Sequence, residues 1–143
     1  MNAAELITRY YGAFNAGDMD AMLGLLHEDV AHDINQGRRE VGRHAFGRFM
    51  ERMNRCYREQ LSDVVVMVSE EGTRAAAEFV VHGEYLASDA GLPEAKGQRY
   101  VLPAGAFIEV RAGKINRVTT YYNLQDWLAQ VGYDPVFGAR PLR

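Results

Sequence analysis

The sequence has little of what most chemistry-bearing motifs are made of. It holds one cysteine, Cys56, in 143 residues. That excludes an internal disulfide framework and fits a reducing compartment. No apolar stretch reaches the roughly 20 residues of a membrane span. The opening "MNAAELITRYY" lacks the basic start and apolar run of a signal peptide. An excess of positive charge is missing too: 16 Lys and Arg stand against 19 Asp and Glu, a net charge of −3. Such a chain has no basic field to hold a nucleic-acid backbone. The four histidines show no metal-ligand spacing. There is no P-loop, no G-x-G-x-x-G and no serine nucleophile elbow. These absences lead us to expect a cytoplasmic protein without a nucleic-acid partner, a membrane partner or a bound metal.

What remains is an ordinary globular composition, with 48% hydrophobic and 24% charged residues. The length suits one domain spanning residues 1–143. A domain this long buries roughly 70% of its unfolded surface, enough for a core and a small cavity.

Asn2 and Glu5 have the spacing of a capping box. Leu6, Tyr10 and Phe14 then recur every fourth residue, one stripe of an amphipathic helix. Gly17 stops it, and Asp18 caps a short second helix carrying Met22, Leu25 and Leu26. Residues 30–35 read as a strand and "NQGRREVG" as a loop. A third helix turns Phe46, Phe49, Met50 and Met53 inward. The second half reads as four strands: "QLSDVVVMVS", "RAAAEFVVHGEYL", "RYVLPAGAFIEV" and "KINRVTTYYNL". The loop "ASDAGLPEAKGQ" divides them, and it can serve as a lid or as a plain connection. "LQDWLAQVG" is a last helix and "YDPVFGARPLR" a tail. Helices segregated from a run of antiparallel strands predict an α+β fold. A curved sheet wrapped over helices leaves a concave pocket between the layers.

The segment "TRYYGAFNAGDMDAMLGLLHEDV" resembles the opening of the nuclear transport factor 2-like superfamily, and "GKINRVTTYYNLQDWL" its closing strand and helix. The likeness is greatest to the SnoaL-like, or ketosteroid isomerase-related, branch. It implies a cone-shaped α+β fold, a curved antiparallel sheet over N-terminal helices with an apolar pocket, often in a homodimer. It implies no cofactor. Fold alone does not fix the chemistry, because this scaffold hosts many.

Ketosteroid isomerase works with an Asp base and an oxyanion hole of a Tyr and a protonated Asp. By resemblance Tyr10 matches that tyrosine, but the two aspartates fall on Ile34 and Ala106. Limonene epoxide hydrolase resembles the chain in another register. There Asp33 and Asn35 fall on a Tyr and an Asn, His82 and Glu84 on an Arg-x-Asp pair, and Asn123 on a second Asp. Asp33 with Asn35, His82 with Glu84, and Tyr121 with Asn123 are each two apart, so each pair shares a strand face.

The stretch "HEDVAHDINQG" poses a question of parity. Either Asp33 and Asn35 point into the pocket, or His32 and Ile34 do. Apolar patterning favours the second, and the hydrolase register favours the first. The reading taken is the first, since it gives this strand a carboxylate. Asp33, Glu84, His82 and Tyr10 are then the candidate catalytic residues. Asn35, Tyr121, Asn123, Phe14 and Trp127 are the candidate substrate-binding residues. The function expected is acid–base chemistry on a small, apolar, oxygenated molecule by an isomerase, cyclase or hydrolase. The alternative is a ligand-binding or dimeric accessory protein of the same fold.

Overall fold

A computed structural model describes residues 1–132. The tail read from residues 133–143 lies outside the described residues. Helix α1 (Ala3–Ala16) starts at Asn2, whose side chain accepts from the Glu5 amide in a complete capping box. It ends at Gly17, with φ of 70°, a left-handed turn that glycine makes without strain. Asp18 caps α2 (Met19–Gly24) through the Ala21 amide. Strand β1 (Leu26–Asp33) begins earlier than its alternation suggests, and Leu26 belongs to it rather than to α2. The loop expected after it contains a short edge strand, β2 (Arg39–Val41). Helix α3 (Arg43–Cys56) runs without a break into β3 (Tyr57–Val68). Then come β4 (Arg74–Tyr85), β5 (Gln98–Arg111), β6 (Lys114–Tyr122) and α4 (Leu124–Val131).

The six strands form one open sheet in the order β2-β1-β6-β5-β4-β3. Four of the five pairings are antiparallel, while β1 lies parallel to β6. The sheet is therefore mixed, because the chain returns to β1 only after α3 and three further strands. Register shifts in β1, β3 and β5 bend it. Its concave face is apolar and packs on α1 and α3. In β4 that face carries Ala75, Ala77, Phe79, Val81, Gly83 and Tyr85, every second residue. Leu6, Ile7, Tyr10 and Tyr11 meet it from α1.

Two side-chain amides seal exposed strand backbone. Asn15 donates to the Leu61 carbonyl at 2.9 Å and accepts from the Leu61 amide at 2.8 Å. It stands in for a neighbouring strand beside β3, the sheet edge. Gln130 of α4 makes the same pair of bonds to Val101 at 2.8 and 2.9 Å. β6 stops pairing with β5 at Ala104, so this stretch of β5 has a free side. Pro103 is tolerated next to it for the same reason. Among the described residues no helix is long and apolar enough to cross a membrane.

The Asn15 bonds join α1 to the sheet. Asn15→Ala is expected to destabilise the protein by about 1–2 kcal/mol, read as a lower urea midpoint with an unchanged slope. An unchanged midpoint would show that the Asn15 side chain adds nothing to the docking of α1.

Candidate active site

Between the concave face, α1, α3 and the loop after β4 lies a cavity of about 600 Å³. That volume suits a small polycyclic molecule. Most of its wall is apolar or aromatic, including Phe14, Phe46, Phe49, Phe79, Leu102 and Trp127.

The carboxylate that faces this cavity from the sheet is Glu59 of β3. Tyr57, Glu59 and Leu61 alternate onto the concave face. The Tyr100 hydroxyl donates to Glu59 Oε2 at 2.5 Å. Burial pushes the Glu59 carboxyl above its ordinary value, against the lowering effect of the Tyr100 bond. Tyr100 reaches across β4 because Glu59, Gly83 and Tyr100 are register partners. Trp127 meets the rings of Tyr57, Tyr85 and Tyr100 edge-on, with centroids 5.2–6.1 Å apart. A second carboxylate, Asp89, comes from the loop following β4 and accepts from the Tyr57 hydroxyl at 2.9 Å.

Tyr10, Phe14, Asn35 and Trp127 all line the cavity. Tyr10 is 3% exposed and meets Tyr11 edge-on at 5.0 Å. Burial drives its hydroxyl pKa up, so it stays a neutral donor. Asn35 donates to the Tyr122 carbonyl at 3.0 Å.

The other candidates lie elsewhere. Asp33 borders the cavity, but its carboxylate is engaged on the opposite face of the sheet. It accepts from Arg39 Nε at 2.6 Å, Arg39 Nη2 at 3.0 Å and the Thr119 hydroxyl at 2.5 Å. The Arg39 bonds foremost, then the Thr119 bond and the charges of Arg39 and Arg117, hold its pKa down to about 2. A carboxylate so held is a poor base. The inward residues of β1 are Leu26, Val30 and His32. His82 and Glu84 alternate with the inward Val81, Gly83 and Tyr85, so both point outward. His82 Nε2 is 2.8 Å from Ser62 Oγ, and Glu84 pairs with Arg58 at 3.8 Å. Tyr121 is 56% exposed on the convex face, 6.0 Å from the Phe107 ring. Asn123 is the N-cap of α4, accepting from the Asp126 amide at 3.1 Å.

A model of the SnoaL-like domain matches residues 7–118. The chain belongs to the SnoaL-like family. A protein of Pseudomonas putida KT2440, provisionally named a polyketide cyclase, is 66% identical. The match covers 92% of this chain and 98% of that one, with a TM-score of 0.91. A protein of Xanthomonas campestris pv. campestris with the same provisional name is 63% identical over 90% and 95% of the two chains, with a TM-score of 0.87. An NTF2-like protein of Burkholderia xenovorans LB400 is 13% identical over 90% and 95%, with a TM-score of 0.72. That likeness shows the fold alone. A model of the C-terminal, D2-small domain of ClpB protein also matches residues 116–143. Within that stretch, residues 116–122 belong to β6 and 124–131 to α4 of the SnoaL-like fold. None of the curated proteins is a significant match.

Asp33 has a structural role that pH can read. Its folded pKa of about 2 lies below the ordinary 3.8, so its contribution is present above that value and is lost as pH falls through 2. Asp33→Asn is expected to be less stable than wild type at pH 7, with the gap closing between about pH 4 and 2. Thermal melts across that window check it, and a gap independent of pH would contradict it.

Proposed function

We propose that this SnoaL-like protein binds a small, apolar, oxygenated molecule of polyketide-like kind and performs cofactor-independent acid–base chemistry on it. The provisional name of its relatives supports the substrate class. The observation that carries the chemistry is Glu59, a partly buried carboxylate on the cavity wall whose pKa burial raises. A carboxylate shifted toward neutrality makes a useful proton acceptor at pH 7.

Glu59 takes a proton from carbon next to a substrate carbonyl, and the carbonyl oxygen gains the electron pair. The neutral Tyr10 hydroxyl donates to that developing oxyanion. The enolate carbon can then bond to a second carbonyl carbon, closing a ring, or be reprotonated at another position. Glu59 returns the proton in either case, so nothing is oxidised or reduced. Tyr100 acts through Glu59: its bond to Oε2 fixes the carboxylate and spends none of Oε1. The apolar wall excludes water, which would quench the enolate.

A second reading is a binding protein without turnover. Ile34 and Ala106 at the isomerase aspartate positions favour it. One experiment separates the two. Small molecules retained by the purified protein are identified by mass spectrometry, and the compound and its uncyclised precursors are offered to wild type and Glu59→Gln. The expected outcome is a fall in kcat of about 100-fold or more in Glu59→Gln, with ligand affinity within severalfold of wild type. Equal turnover in both proteins would remove Glu59 from the reaction. Binding without turnover in wild type would establish the second reading.

A further inference from the structure

We propose that His32 is a ligand-binding residue, whose ring nitrogen hydrogen-bonds the hydroxyl group of a flat aromatic molecule seated in the cavity. His32 projects from β1 into the cavity wall and is 5% exposed. Its ring stacks on Phe46 at 4.3 Å and 27°, and meets Phe49 edge-on at 4.6 Å. Nδ1 is buried and has no hydrogen-bond partner among the described residues. A buried polar atom without a partner is costly, and phenylalanine would fill the same slot without that cost. The cavity supplies a reason for the imidazole.

Burial lowers the His32 pKa against the opposing charges of Glu40 and Asp33. The ring is neutral, with one nitrogen donating and the other accepting. A hydroxyl also does both, so it suits either tautomer. The second side-chain torsion of histidine is broad and roughly two-fold. A half-turn exchanges Nδ1 with a ring carbon inside the same Phe46–Phe49 slot. The aromatic wall of Tyr10, Tyr11, Phe46, Phe49 and Trp127 favours a flat, unsaturated partner.

The position of His32 adds a constraint on the ligand. β1 and β3 lie on opposite flanks of the sheet, separated by β6, β5 and β4. Of the cavity residues of those strands, Val118, Leu102, Ala104, Phe79 and Val81 are apolar, while Thr120 and Tyr122 of β6 carry hydroxyls. His32 and Glu59 thus stand on opposite flanks of a largely apolar floor. The inference deepens the proposed reading of this cavity, and it does not require Glu59 to be catalytic.

The test uses two probes of one shape, 2-naphthol and 2-methylnaphthalene, with protein carrying ¹⁵N-histidine. In wild type, 2-naphthol is expected to shift the imidazole nitrogens of the one histidine whose signals vanish in His32→Phe. The shift from 2-methylnaphthalene is expected to be far smaller. His32→Phe should bind 2-naphthol roughly five- to tenfold more weakly and 2-methylnaphthalene unchanged. Glu59→Gln should leave both results intact, which separates this inference from the fate of the reaction. Equal 2-naphthol affinity in wild type and His32→Phe would overturn it. So would bound 2-naphthol that leaves the His32 nitrogens unmoved, or failure of the protein to bind either probe.

Discussion

The Tyr100 ring lies over Gly83, and the proposed site depends on it. A Cβ at position 83 would come within 2.2 Å of that ring. Glycine is the residue that leaves room for such an approach on a strand. With the side chain of β4 missing there, Tyr100 of β5 spans a whole strand to reach Glu59 of β3. One absent methyl group therefore decides whether the carboxylate is held. Trp127 meets the same tyrosine edge-on and joins it to Tyr57 and Tyr85, and burial among these elements raises the Glu59 pKa. Desolvation and aim, the two things a carboxylate needs to work as a base, have one structural cause.

The loop that walls the cavity hangs from the same aromatic cluster. The Tyr85 hydroxyl donates to the Pro93 carbonyl at 2.6 Å and accepts from the Asp89 amide at 2.9 Å. Tyr57, stacked on Tyr85 at 5.3 Å, donates to the Asp89 carboxylate. Leu86, Ala90 and Leu92 of this segment thereby become cavity wall. Arg52 of α3, itself half exposed, approaches the largely covered Asp89 carboxylate at 3.8 Å. Strand, loop and helix are tied together at the end of the cavity where Glu59 stands.

Much of this architecture was legible in the sequence. Caps at Asn2, Asp18 and Gly17, helical spacing in α1 and α3, and the turn before Lys114 set the elements in order. Phase was harder to read. In β4 both faces carry apolar residues, Phe79 and Val81 on one and Val80 on the other, so alternation alone did not say which face His82 and Glu84 share. In β1 the patterning of Val30 and His32 gave the true phase, and the hydrolase register misled. Asn35 reaches the cavity because the chain has already left the strand. Asn123 serves as a helix cap, the ordinary use of that residue ahead of an apolar helix. Glu59 lies just past a boundary that local signals do not mark: no Gly or Pro separates α3 from β3, and the strand pattern is plain only from Gln60. The signal was there in Tyr57, Glu59 and Leu61, a carboxylate between two apolar residues at strand spacing. Gly83 over Tyr100 depends on cross-strand register, which local pattern does not encode.

Partial burial raises the proton affinity of Glu59 while the Tyr100 bond holds the carboxylate in place. Titrating the wild-type protein with ¹³C-labelled glutamate side chains, assigned through Glu59→Gln, measures this directly. The expected Glu59 pKa lies above the ordinary 4.5 and rises further in Tyr100→Phe, because the Tyr100 bond favours the ionised form. A Glu59 pKa at or below 4.5 would contradict it.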